Sequence, residues 1–160
     1  VNDKLDADLC KDFPALYRDR NASMSQTCMC WGFSCGDGWH GILRELSAGI
    51  THALSPHVSG GNMKAATGGY YECGFSVVVD QVKEKYGTLR YYYHSEPKPG
   101  VLAESVDEEY ALRIMGEIEG MITMAERMSS ITCEGCGVPG VINSDGWLST
   151  LCVSCREAIG

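Results

Sequence analysis

The chain has 160 residues, 44% hydrophobic and 21% charged, a composition that suits one globular domain with room for a real core. Its 13 Lys and Arg stand against 21 Asp and Glu, for a net charge of −8 and a pI of about 4.9. That balance argues against a broad phosphate-binding surface and against an anionic membrane, both of which call for clustered Lys and Arg.

No apolar run is long enough to span a bilayer, and the first residues, Val-Asn-Asp-Lys-Leu-Asp, carry no signal-peptide core. A soluble, cytoplasmic chain with no membrane partner is the expectation. Residues 3–18 place Leu5, Leu9, Phe13, Leu16 and Tyr17 on one helical stripe, interrupted at Phe13-Pro14 because the residue before proline resists helical geometry. Residues 19–27 are polar and turn-like. Next comes Cys28-Met-Cys30-Trp-Gly-Phe-Ser-Cys35-Gly-Asp-Gly-Trp39-His40, where Asp37 reads as the N-cap of a helix. Trp39, Ile42, Leu43, Leu46, Ile50 and Leu54 recur at helical spacing and predict an amphipathic helix over 38–54. Ser55-Pro56 ends it, and residues 55–69, with four glycines and two serines, read as a flexible connection.

Residues 71–94 form the β part. Phe75, Val77 and Val79 alternate with Ser76, Val78 and Asp80, and Leu89, Tyr91 and Tyr93 alternate with Arg90, Tyr92 and His94. A three-residue loop with Gly87 in the left-handed position puts the odd-numbered residues of both strands on one apolar face. It also brings Asp80 and Glu84 near Arg90 and His94, whereas a two-residue loop sets Lys83 against Arg90. The three-residue loop is therefore expected. Pro97 and Pro99 break the strand. Asp107, Glu108 and Glu109 suit the first turn of a long helix, whose stripe runs from Ala111 through Ile114, Met115, Ile118, Met121, Ile122 and Ala125 to Met128.

The last thirty residues contain Cys133, Cys136, Cys152 and Cys155: C-x2-C, fifteen residues, C-x2-C. Each pair suits a knuckle that aims two sulfurs at one point, and two knuckles complete the tetrahedral set of one structural Zn²⁺. Gly137, just past the second sulfur, suits the tight reversal. Pro139-Gly140 and Asp145-Gly146 punctuate a short hairpin whose Trp147 and Leu148 are expected to cover the metal. The alternatives are two disulfides or four unrelated thiols. A closed four-thiolate site has no position for water or substrate, so it speaks for architecture more than catalysis.

Cys35-Gly-Asp-Gly-Trp39 and Gln81-Val-Lys-Glu-Lys-Tyr-Gly-Thr-Leu-Arg-Tyr91 resemble a family of small uncharacterised proteins of tailed phages and prophages. The resemblance covers residues 33–155 and extends to the order of elements: the Gly-Asp-Gly-Trp helix, the hairpin, a helix, then a four-cysteine module with Pro-Gly and Gly-Trp. It implies a phage or prophage origin and brings no activity with it. Cys28, Cys30 and the stretch 55–69 lie outside the shared pattern.

Other chemistry is sparser. Cys28, Cys30 and Cys35, with His40 or Cys73, are candidates for a second metal site, set against packed thiols. His40, His52, His57 and His94 fit no nucleophile motif, which leaves a cysteine-dependent hydrolase as the third reading. Tyr92, beside Lys83 and Lys85, can stack a base, so a nucleic-acid-binding zinc protein is second. The first reading is a stoichiometric binder or inhibitor of a host protein or complex, such as defence or transcription machinery. Its contact residues are expected at Arg90 and Tyr92 and along the acidic Glu104, Glu108 and Glu109. The expected architecture is α+β: a helix-and-hairpin core over 1–130, with a zinc module over 131–160 packed on it as one globular unit.

Overall fold

A computed structural model of the chain describes residues 1–55, 73–101, 106–144 and 146–159. The fold is α+β, with four helices and two small sheets among the described residues. Helix α1, Asp3–Asp12, starts at Asn2, whose side chain accepts from the Lys4 and Leu5 N–H groups. It stops at Phe13, as the proline predicts. Helix α2, His40–Leu54, follows a 3-10 turn over Asp37–Trp39, and helix α3 spans Glu108–Ser129. Asp107 caps α3 by accepting from the Tyr110 N–H. The expected flexible connection lies, from residue 56 on, outside the described residues.

The main sheet has the order β1-β2-β3. Strand β1, Phe33–Ser34, runs parallel to β2, Phe75–Lys85, which pairs antiparallel with β3, Thr88–Pro97. The turn differs from expectation. Lys85 pairs with Thr88, so the loop is the two residues Tyr86 and Gly87, with φ of 58° and 76°. Positive φ at both positions is the type I′ geometry that matches strand twist. Lys83 does stand opposite Arg90. The pair is tolerated because the charges turn apart: Lys83 Nζ lies 5.2 Å from the Tyr92 ring centroid, and Arg90 donates to Thr88 Oγ1 and the Leu89 carbonyl.

The odd face nevertheless forms the core. A β-bulge at Asp80 adds one residue between the Val79–Tyr93 and Gln81–Tyr92 pairs, which inverts the parity of β2. Phe75, Val77 and Val79 before it, and Val82 after it, thus share a side with Leu89, Tyr91 and Tyr93. Of the expected cross-strand contacts, Asp80 and His94 do meet, with His94 Nδ1 2.8 Å from the Asp80 carboxylate. Glu84 instead accepts from the Gly87 N–H inside the turn.

Helices α2 and α3 pack on each other and α3 lies against β3. Trp39, Leu43, Leu46, Val77, Val79, Tyr91, Ile114 and Ile118 share one core, with Met121 at its margin. Leu9, Leu16, Tyr17, Met29 and Phe33 extend that core toward the N-terminal segment. One polar point inside it is Tyr17, whose hydroxyl lies 2.7 Å from Ser47 Oγ and 3.4 Å from Tyr91 OH. Burial pushes Tyr17 up to about 12. Among the described residues, no helix is long and apolar enough to cross a membrane.

Candidate metal centre

Helix α3 ends at Ser129 and hands the chain directly into the first knuckle. There the Cys133 N–H bonds the Val138 carbonyl at 2.7 Å, and the Gly137 N–H bonds the Cys133 carbonyl at 2.8 Å. Gly137 sits at φ +80°, the left-handed position that the reversal requires. Strands β4, Val141–Asn143, and β5, Ser149–Leu151, form a short antiparallel hairpin. Cys152 follows it directly, and Cys155 lies in the first turn of α4, Val153–Ile159.

The four sulfurs all lie within 4.8 Å of one another, close enough to hold a metal ion. Cys136 and Cys152 Sγ are 3.7 Å apart. A tetrahedron of metal–sulfur bonds of about 2.3 Å has edges of about 3.8 Å, so that spacing fits. The protonation of the set points the same way. Burial alone would raise the Cys133 thiol, but the N–H groups of Cys152, Cys136 and Gly135, with the Cys136 thiol, outweigh it and bring Cys133 down to about 6. Hydrogen bonding with Cys136, Cys152 and Cys133 pushes Cys155 up to about 12. Four crowded sulfurs cannot all ionise unless a cation shares their charge.

The knuckle is docked on the core by the Gly-Asp-Gly-Trp string. The Gly36 N–H donates to Glu134 Oε1 at 2.9 Å, the Gly38 N–H to the Glu134 carbonyl at 2.8 Å, and Trp39 Nε1 to the Thr132 carbonyl at 2.8 Å. The glycines are there for approach. A Cβ on Gly38 would sit 2.2 Å from the Cys133 carbonyl oxygen, and one on Gly36 would sit 2.3 Å from that of Glu134. From the other side, the Glu134 N–H bonds the Thr150 carbonyl at 2.8 Å, and the buried Thr150 hydroxyl donates to the Gly87 carbonyl. Burial raises the Glu134 carboxyl above its usual range, against the pull of the Gly36 N–H.

Two expectations for this region change. Asp37 is not a helix cap: its carboxylate accepts from the Asn2 N–H and Asn2 Nδ2, each at 2.6 Å, and so ties the start of α1 to the cradle. Those bonds, with the side-chain one largest, hold Asp37 below the usual carboxylate range. Trp147 does not cover the sulfurs, because it is 82% exposed at the hairpin tip. Cys133 is buried instead beneath the cradle, against which its knuckle packs.

The second candidate set does not gather. Cys28 is exposed, Cys30 half-buried, Cys35 and Cys73 buried, and among the described residues these and His40 form no common donor cluster. Burial pushes the Cys35 thiol up to about 12, and Cys73 Sγ donates to the Phe75 carbonyl at 3.4 Å, the behaviour of packed thiols. His40 Nε2 is buried without a hydrogen-bond partner among the described residues. Arg90 and Tyr92 lie on the face of the hairpin away from the core, and Glu108 and Glu109 are exposed in the first turn of α3. Glu104 lies outside the described residues, as does Asp145. Thr132, Glu134 and Thr150, which lock the module in place, carry no sequence signal; the pair of glycines flanking Asp37 is the one available hint of close approach. No family model matches the chain, and neither does any curated protein or solved structure.

Proposed function

We propose that the four cysteines hold one structural Zn²⁺ and that the protein is a non-catalytic, stoichiometric binder of a host protein, in keeping with its resemblance to phage proteins. One observation carries this. All four corners of the candidate tetrahedron are filled by protein sulfur, so no coordination position is left for water or substrate. A four-thiolate set of this size suits Zn²⁺, and its work is to hold the turn that docks on Gly36–Trp39. The net charge of −8 favours protein over nucleic acid as the ligand. Tyr92 remains the best candidate for stacking a base, but Lys83 already stands over one face of its ring.

The test is a titration of the target's activity with the zinc-loaded protein. Occupancy predicts saturation near equal molar amounts, unaffected by incubation time. Full effect at a small fraction of the target concentration would mean turnover and overturn the reading. Tight nucleic-acid binding with a steep salt slope, and no protein target, would favour the second reading.

A further inference from the structure

Beside the metal centre, the β4–β5 hairpin, α4 and the Glu134–Gly135 turn border a cleft of about 550 Å³, the size of a site for a small group. Trp147 lines it with an indole that is 82% exposed, an unusual placement for the largest apolar side chain. Leu151 and Ile159 supply further apolar wall. Glu134 supplies a carboxylate, of which Oε1 accepts from Gly36. The lining itself carries one charge of each sign, Glu134 and Arg156, but the segment that builds most of the cleft is acidic by sequence. Between residues 131 and 160 the single cation is Arg156, against Glu134, Asp145 and Glu157. Four thiolates around a divalent ion add about two more negative charges.

We propose that this cleft receives a Lys or Arg side chain from a basic segment of the partner protein. The aliphatic stem lies along Leu151 and Ile159, and the charged head meets the Trp147 ring and the Glu134 carboxylate. This deepens the protein-binding reading and rests on it. An anionic ligand such as a nucleotide would find only Arg156, with the Glu134 carboxylate in the same lining. A second copy of the chain would bring the same negative charge to the contact. Arg156 makes no ion pair among the described residues, so it opposes an incoming cation and gives the test its sign.

The zinc-loaded full-length chain is titrated with a blocked tetra-arginine peptide while the Trp147 indole and the Gly135 and Ser149 amide resonances are followed by NMR. A tetra-glutamate peptide and a nucleoside monophosphate serve as controls. Saturable shifts at these three positions are expected with tetra-arginine alone. Trp147→Ala and Glu134→Gln should each weaken binding about fivefold, and Arg156→Glu should tighten it by about the same factor. Gln keeps the oxygen that accepts from Gly36, and unchanged zinc content and thermal unfolding confirm that the variants are folded. Absence of saturable shifts, or equal affinities across the three variants, would overturn the proposal, the latter because attraction to net charge alone would explain it. Shifts caused by the nucleotide and abolished by Arg156→Glu would replace it with an anion site. Target titration with the same variants separates the two ideas. A target bound equally well by all variants refutes the cleft and keeps the stoichiometric binder; peptide binding that follows the predicted order, with catalytic turnover of the target, does the reverse.

Discussion

Trp39, the largest fully buried side chain of the core, donates its indole N–H to the carbonyl of Thr132, the residue just before the first candidate metal ligand. This bond, 2.8 Å long, joins the core to the four-cysteine module beside those that Gly36 and Gly38 make to Glu134. Trp39→Ala should cost about 3–5 kcal/mol through the cavity it leaves. Trp39→Phe keeps most of the ring but leaves the Thr132 carbonyl without its donor, a loss of about 1 kcal/mol beyond the smaller ring's packing deficit. Denaturant unfolding of both variants measures the difference.

Gly38→Ala tests the cradle from the backbone side. The added methyl would meet the Cys133 carbonyl oxygen at 2.2 Å and the Gly137 nitrogen at 2.4 Å, both main-chain atoms of the knuckle that cannot step aside cheaply. The knuckle should lift off, taking the Gly38–Glu134 bond with it. Faster metal release to a chromophoric chelator, at little change in helix content, is the expected result. Gly41→Ala, at a position open within 4 Å, is the control and should release metal at the wild-type rate.

The hairpin turn should respond to substitution in opposite directions. Tyr86 adopts a φ of 58°, where Asn is far more at ease than an aromatic residue, so Tyr86→Asn should stabilise by about 0.5 kcal/mol. Gly87, at φ 76°, has no such freedom to spare, and Gly87→Ala should cost about 1 kcal/mol or more. Thermal unfolding midpoints settle both.

Periodicity made the helices legible: Trp39 to Leu54 and Ile114 to Ala125 bury the stripes that their spacing defines. The cysteine spacing likewise identified the four sulfurs that come together. The hairpin was legible only in part, because two features offset each other. A two-residue turn alone would have put the odd residues of β2 on the wrong face, and the bulge at Asp80 returns Phe75, Val77 and Val79 to the core. The one trace of the bulge in the sequence is the step from odd-numbered Val79 to even-numbered Val82, too short a signal beside Val78 to fix the register. The module's locks were hidden for another reason: Thr132 acts through its carbonyl, and Thr150 is a polar residue with no exposed surface, bound to the turn at Gly87. Such residues are selected by what the backbone needs at one point in space, which spacing along the chain does not encode.

Alkaline pH should destabilise the protein through its buried tyrosines. An unfolded tyrosine ionises near pH 10, whereas burial pushes Tyr17 up to about 12, and it raises Tyr91 well above its usual range. Below pH 10 both states keep the proton and the stability is fully present. From pH 10 through 12 the unfolded state loses a proton that the folded state retains, so stability falls as pH rises. Tyr17→Phe removes one of these protons and should flatten the alkaline decline, at a cost near neutrality of about 1 kcal/mol for the lost Ser47 bond. Unfolding curves collected from neutral to strongly alkaline pH check the slope.

Metal removal is the broadest test. Elemental analysis should find one zinc per chain, and loading must expel protons from the thiols, chief among them Cys155, which is pushed up to about 12. Proton release on titration with zinc should therefore be measurable, and the affinity should fall on acidification. Chelation, or Cys136→Ser, should cost several kcal/mol of local stability and disorder residues 131–156. The loss should not stop there, because Gly36, Gly38 and Trp39 lose their acceptors on Glu134 and Thr132, and Gly87 loses the Thr150 hydroxyl. Hydrogen exchange should then show fast amides at Gly36, Gly38 and the hairpin turn, while the pairing of Val77–Val79 with Tyr93–Ser95 stays protected. Continued protection of Gly38 and Glu134 after chelation would mean that the cradle alone holds the knuckle, and the structural role assigned to the metal would fall.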